Sequence, residues 1–178
     1  DIGCGGGLAT EPFARLGFNV TGIDAAEENI HTARTHATKS GLNIEYHVGS
    51  PEHRISNNDI YDVVLALEVV EHVANIDVFI SGMIQRLSHD GMIVFSTINR
   101  TTKSLVLAKT VAEYVLRWVP PGTHQWNSFV RPSEISRILR SSGFRVTTLK
   151  GIEYNLRTGE WFESDDISVN YILSAIRE

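Results

Sequence analysis

Apolar positions along this chain fall into short continuous runs, separated by stretches in which they recur every three or four residues. That is the alternation of buried strands with amphipathic helices. The runs "NVTGID" (19–24) and "IEYHV" (44–48) read as strands. "DVVLAL" (62–67) is an unbroken apolar segment of the kind buried on both faces of a parallel sheet, and "MIVFST" (92–97) is another strand. The intervening periodicity predicts helices over 8–16, ended by Gly17, over 27–40, stopped by Gly41 as a C-cap, and over 77–87, followed by the turn "SHDG". The order strand, helix, strand predicts a doubly wound α/β sheet. The rhythm changes towards the end. Residues 99–131 form an insertion, a helix opens near Pro132 and closes at Gly143, and two strands, 145–154 and 169–176, follow with no helix between them. Strands joined without a crossover helix pair antiparallel.

Composition narrows the picture. A chain of 178 residues, 42% hydrophobic, with a formal charge of -5 and a pI near 5.8, suits one soluble α/β domain over 1–178 and does not favour nucleic acid as a partner. The single cysteine, Cys4, has no internal disulfide partner, which fits a reducing compartment. The longest apolar stretch, Leu105 to Val119, is interrupted by Lys109, Glu113 and Arg117 and is a poor bilayer-spanning segment. The opening "DIGCGGG" (1–7) reads as a turn leaving a strand, and in an open parallel sheet that strand lies in the middle. A first strand ahead of Asp1 is therefore expected, with this chain truncated at its amino end.

Candidate chemistry begins in the same loop. Gly3, Gly5 and Gly7 let the backbone approach a ligand, and Asp24, at the end of the next strand, is placed to accept hydrogen bonds from ribose hydroxyls. A dinucleotide fingerprint starting at Gly3 needs glycine or alanine at position 8, where the chain has Leu8. The spacing Asp1-x-Gly3-x-Gly5-x-Gly7 instead resembles the loop of class I S-adenosylmethionine-dependent methyltransferases. The resemblance implies a Rossmann-like, mostly parallel seven-stranded sheet with an antiparallel C-terminal strand. It also implies cofactor contacts from Asp1, Gly3, Gly5 and Gly7 to the methionine part, from Asp24 to the ribose, from Gly49-Ser50-Pro51 to the adenine, and from the main chain of Leu67 to the amino group.

A closer likeness runs through "VTGID", "YDVV...LEVVEHV", "FSTINRTTKS", "AEYVLRWVPPGTH" and "VNYIL". Together these resemble the ubiquinone-biosynthesis O-methyltransferases, and the segments inside the insertion are the most specific of them. The family likeness implies methylation of a ring hydroxyl on polyprenyl catechols and demethylubiquinol, by a cytoplasmic protein resting on the inner face of the membrane, among other enzymes of that pathway. Members have a leading segment, absent here, that supplies the first strand and a basic contact to the cofactor.

The stretch "EVVEH" (68–72) follows the buried run. If a helix starts there, Glu68, Glu71 and His72 share one face. Three roles are open. As a metal site the trio supplies two carboxylates suited to Mg²⁺ and a histidine that also admits Zn²⁺, Mn²⁺ or Co²⁺. As an acid/base cluster it uses His72 to take the proton from a phenol. As a plain helix start, Glu68 and Glu71 favour the positive end of a helix dipole by about 0.3 to 1 kcal/mol each. The family likeness implies the divalent metal on this Glu-x-x-Glu-His element. His124 in "PPGTH" is a second candidate base.

Within the insertion, Leu107, Val111, Tyr114, Val115 and Trp118 form a helical stripe flanked by Arg100, Lys103, Lys109 and Arg117. A basic amphipathic segment in an acidic protein predicts a lid over about 103–119 that touches anionic lipid and admits a long apolar tail.

Overall fold

The computed structural model describes residues 1–50, 59–107, 126–155 and 157–178. Its strands are β1 (Val20–Asp24), β2 (Ile44–Val48), β3 (Tyr61–Leu67), β4 (Leu87–Ile98), β5 (Phe144–Asn155), β6 (Glu160–Ser164) and β7 (Asn170–Arg177). The helices are α1 (Thr10–Arg15), α2 (Glu27–Lys39), α3 (Ile76–Ile84), the single turn α4 (Thr102–Ser104) and α5 (Pro132–Ser141). Strands β1 and β2 pair in parallel, as do β3 and β4, and β7 lies antiparallel between β4 and β5, giving the order β3-β4-β7-β5-β6.

Local chemistry sets the helix limits. Gly41 (φ 64) ends α2, its amide bonded to the carbonyl of Thr38 while Leu42 reaches back to Ala37, the paired bonds of a glycine-terminated helix. Helix α3 starts one residue ahead of Asp77, at Ile76, because the Asn75 side chain caps it by accepting from the Val78 amide at 3.0 Å. It stops short of Leu87, which is already a strand residue opposite Tyr61. At α5, Pro132 fills the first turn and the Glu134 carboxylate accepts from the Arg131 amide at 2.7 Å.

The doubly wound expectation holds, with three departures in the sheet. Among the described residues Ile2 bridges the two halves of the sheet, pairing with Ile23 on one side and Ala66 on the other, both in parallel. Below Ile2 a groove of about 800 Å³ runs between Val20 and Thr21 on β1 and Tyr61 and Val63 on β3, where the sequence predicts a first strand. The turn expected at "SHDG" lies inside β4 as a bulge, since Tyr61 opposes Leu87 while Val63 opposes Met92. Strand β5 folds back as a hairpin with β6 before β7 begins. Its turn is built on Asn155, whose side-chain oxygen accepts from the amides of Arg157 and Thr158, and on Gly159 at φ 73.

From β1 the chain steps outward through α2 to β2, and from β3 it steps the other way through α3 to β4. Crossovers of one hand then place α2 and α3 on opposite faces. Two cores result. One joins Ile30, Ala33 and Ala37 of α2 to Tyr46 and Cys4. The larger joins Ile80 and Met83 of α3, and Ile135, Ile138 and Leu139 of α5, to Val64, Ala66, Ile93, Phe95 and Leu173. The carboxyl ends of β1, β3 and β4 therefore emerge side by side, which is where open α/β sheets bind ligands.

Candidate active site

The glycine loop is tied to β1 and β3 by backbone bonds. The Ile2 amide donates to Leu65, Gly3 and Cys4 both donate to the Ile23 carbonyl, and Gly7 donates to Cys4. Gly3 (φ 71), Gly5 (φ 52) and Gly7 (φ 90) all lie in the left-handed region, so each turn of the loop requires glycine. They differ in surroundings. A Cβ on Gly3 would meet Val69 Cγ2 at 2.3 Å and one on Gly7 the Tyr46 hydroxyl at 2.6 Å, while Gly5 faces open space. Gly5 is thus the point at which the loop presents bare backbone outward.

Asp24 stands beside it. Its carboxylate accepts from the Gly5 amide at 2.9 Å, from the Ala26 amide at 2.8 Å and from the Asn29 side-chain amide at 3.1 Å. It therefore pins the glycine loop to the start of α2. The Gly49 amide donates to the Asp24 carbonyl, which brings the half-buried Ser50 to the same rim; Pro51 lies outside the described residues. Asp1 lies at the loop's entry. Its carbonyl accepts from Ile23, and its carboxylate borders the groove between β1 and β3 with Oδ2 buried and unpartnered.

Across the sheet, half-buried Leu67 ends β3 opposite Ser96. The next residues do not form the expected α-helix. Glu68 is left-handed (φ 57), and a single 3-10 turn, Val70–His72, follows. Val70 is driven into the core and the His72 amide closes on Val69. The physical reason is the backbone reversal at Glu68, which breaks the helical register. Glu68, Glu71 and His72 accordingly do not share one helical face, and among the described residues no group of three or more His, Cys, Asp or Glu is gathered as an ion would require.

What the turn does bring together is the pair Glu68 and Glu71. Ser96 Oγ donates to Glu68 Oε1 and Thr97 Oγ1 to Glu71 Oε2, each at 2.8 Å. Burial raises the Glu71 pKa, opposed by hydrogen bonds from its own backbone, Thr97 and Glu68. His72 is exposed nearby on the chain. His124 lies outside the described residues, as does most of the 103–119 segment. The start of the insertion is anchored. Lys103 pairs with Asp166, Thr101 Oγ1 donates to Ser168, and the Asn99 side chain donates to Ile167, all at 2.5 to 2.8 Å.

Sequence reasoning missed Ser96, Thr97 and Asn29. The first two had a signal in "FSTINR", since hydroxyls at the end of a central strand stand next to whatever follows the neighbouring strand. Asn29 had none, because an amide in a first helical turn is ordinary.

Comparison with known proteins bears on this geometry. Residues 1–149 match the Methyltransferase domain family. The chain is 46% identical over 177 residues to the ubiquinone biosynthesis O-methyltransferase of Paramagnetospirillum magneticum, covering 99% of this chain and 71% of that protein. It is 48% identical over 175 residues to the same-named protein of a Chelativorans species, covering 98% and 69%. Among solved structures, the magnesium protoporphyrin IX methyltransferase of Synechocystis with bound SAH superposes with a TM-score of 0.73 at 21% identity, over all of this chain and 73% of that one. The plantazolicin methyltransferase in complex with SAH superposes at 0.69 and 19%, over all of this chain and 75% of that one. The structural likenesses establish the fold, a class I methyltransferase sheet, and the sequence identities make this chain a member of the ubiquinone biosynthesis O-methyltransferase family.

Proposed function

We propose that this chain is an S-adenosylmethionine-dependent O-methyltransferase acting on a ring hydroxyl of polyprenyl catechol or demethylubiquinol intermediates of ubiquinone biosynthesis. The observation that carries the reading is the juxtaposition of the open Gly5 backbone, held by Asp24, with the Glu68–Glu71 pair at neighbouring strand ends. The relatives' shared name supplies the substrate class. Bound S-adenosylmethionine supplies an electrophilic methyl group on a sulfonium, and the transfer is an in-line displacement. The protein's work is alignment and ionisation of the nucleophile. Gly3, Gly5, Gly7 and Asp1 line the methionine side, Asp24 and Ser50 the nucleoside side, and the Leu67 main chain the amino group. A phenol titrates near pH 10 in water, so a carboxylate, a histidine or a cation has to favour its anion at neutral pH.

A divalent cation fits the carboxyl pair. The hydroxyls of Ser96 and Thr97 hold the carboxylates as outer hydrogen bonds hold metal ligands. Glu68 and Glu71 would hold Mg²⁺. The ion would orient adjacent catechol oxygens and lower their pKa. Because no third ligand is gathered with the pair among the described residues, a second reading has His72 take the phenolic proton without metal.

The test is methyl transfer from S-adenosylmethionine to a short-tailed polyprenyl catechol by the full-length protein, before and after EDTA. Activity lost to chelation and restored by Mg²⁺ or Zn²⁺ supports the metal reading, and indifference to EDTA supports His72. Absence of transfer to any polyprenyl phenol would overturn the assignment.

The basic segment at about 103–119 is assigned to inner-face lipid, placing a cytoplasmic protein peripherally at the membrane. Exposed Val106 and Leu107 at its described edge support this. Vesicle binding by the full-length protein that is unchanged by Lys109→Glu with Arg117→Glu would remove it. The groove below Ile2 is assigned to an extended stretch of chain leading into Asp1, parallel to β1 and β3, because Ile2 already bridges both. Slow amide exchange at Thr21 and Val63 in the full-length protein is expected, and fast exchange there would refute the assignment.

A further inference from the structure

Tyr46 lies on β2, away from the open side of the glycine loop, and is only 4% exposed. Its ring packs against Gly22, where a Cβ would sit 2.7 Å from two ring carbons. Its hydroxyl reaches under the loop to Thr10 Oγ1 at 2.7 Å, and Thr10 Oγ1 lies 3.0 Å from the Gly7 carbonyl, which can only accept. Thr10 has one proton, and Gly7 takes it. The direction of the chain is therefore fixed, with Tyr46 donating to Thr10 and Thr10 donating to Gly7. Thr10 is fully buried, and burial also raises the Tyr46 pKa, so the phenol keeps its proton. The same Gly7 carbonyl accepts the Glu11 amide, which starts α1.

We propose that Tyr46 is a positioning residue for the cofactor: through Thr10 it holds the Gly7 peptide, and with it the left-handed turn that presents the loop to S-adenosylmethionine. The inference rests on reading residues 3–7 as the cofactor loop. It goes beyond that reading, because neither hydroxyl faces the open side of the loop and neither belongs to the glycine motif. A buried hydrogen-bonded relay of this kind restrains a loop that has no side chains of its own to pack.

The experiment uses the full-length protein with S-adenosylhomocysteine, followed by calorimetry, and steady-state kinetics in which S-adenosylmethionine is varied. Removing one buried hydrogen bond predicts that Tyr46→Phe binds about fivefold to tenfold more weakly. KM for S-adenosylmethionine should rise by a similar factor, with kcat at saturation unchanged. Thr10→Val should behave alike, the double variant should be no weaker than either single one, and Thr10→Ser, which keeps the hydroxyl, should bind as the natural protein does. Unchanged affinity in Tyr46→Phe overturns the proposal. So does a loss in Thr10→Ser equal to that in Thr10→Val, because packing rather than the relay would then hold the loop. If Tyr46→Phe fails to fold, the comparison of Thr10→Ser with Thr10→Val decides alone. A natural protein that does not bind S-adenosylhomocysteine at all would overturn the cofactor reading itself, an outcome distinct from wild-type binding that the variants leave unchanged.

Discussion

The glycine loop and the Glu68–His72 turn solve the same problem in different ways. Each reverses the chain beside the carboxyl ends of the parallel strands, and each needs left-handed backbone to do so. The loop uses glycine at every such position and carries no Cβ penalty. The turn places a glutamate there, at a cost of about 1 to 2 kcal/mol for an L residue. That cost is met by burying Val70 and by the Ser96 hydrogen bond. A strained side chain is retained where its position matters more than its stability, whereas a loop that offers only backbone can be relaxed. The two meet at Gly3, which lies against Val69.

Gly3→Ala attacks that meeting point and has the largest expected effect. Its Cβ would fall 2.3 Å from Val69 Cγ2 in a left-handed conformation. Loss of about 3 kcal/mol by urea denaturation is expected from overpacking and strain together, with loss of S-adenosylhomocysteine binding. Val69→Ala should recover part of the stability, and full recovery would mean that the left-handed backbone costs nothing. Glu68→Gly separates strain from chemistry. It removes both the left-handed cost and the Ser96 hydrogen bond that offsets it, so stability should change by less than about 1 kcal/mol while methyl transfer falls about 100-fold. A variant both stable and active would remove Glu68 from the site.

The parallel half of the molecule was legible because buried strands and capped helices leave local signals. "DVVLAL" is β3 but for Tyr61, which adds one residue at its start, and Gly41 and Pro132 mark helix ends where they were expected. The hairpin strand β6 was not read, although Asn155 and Gly159 are turn residues, since "EWFES" shows no apolar alternation and its first four residues stay exposed. Glu68, Glu71 and His72 were expected on one helical face, and the backbone that carries them is instead a left-handed residue followed by a 3-10 turn. A glutamate carries no sign in its sequence that it will adopt φ 57, because that choice is made by Val70 finding the core. The relay through Tyr46 was invisible for a similar reason: it joins residues 36 positions apart.

The turn's stored cost has a second part, in the burial of Glu71. Its pKa is raised on folding, so the folded state binds the proton more tightly than the unfolded chain does. Stability from this group is present at low pH and is lost as pH rises from the unfolded value through the folded one. Glu71→Gln, which mimics the protonated form, should therefore gain stability relative to the natural protein as pH is raised from about 4 to about 8. Melting temperatures of both across that range measure it, and a constant difference would show that Glu71 titrates as in the unfolded chain.

The loop side has the smallest and most local test, at Cys4. Its thiol is 7% exposed inside the loop, and its pKa is pushed up to about 11, first by burial and then by the Asp24 carboxylate. Only the thiolate reacts with iodoacetamide, so at pH 8 a shift from 9.0 to about 11 alone slows alkylation roughly 100-fold, before access is considered. The rate should climb about tenfold per pH unit towards 11, and S-adenosylhomocysteine should slow it further by holding the loop closed. Labelling as fast as that of a free thiol would mean that the loop opens readily. Relaxed glycine backbone would then be a source of motion rather than of order, and the contrast with the strained turn would reverse.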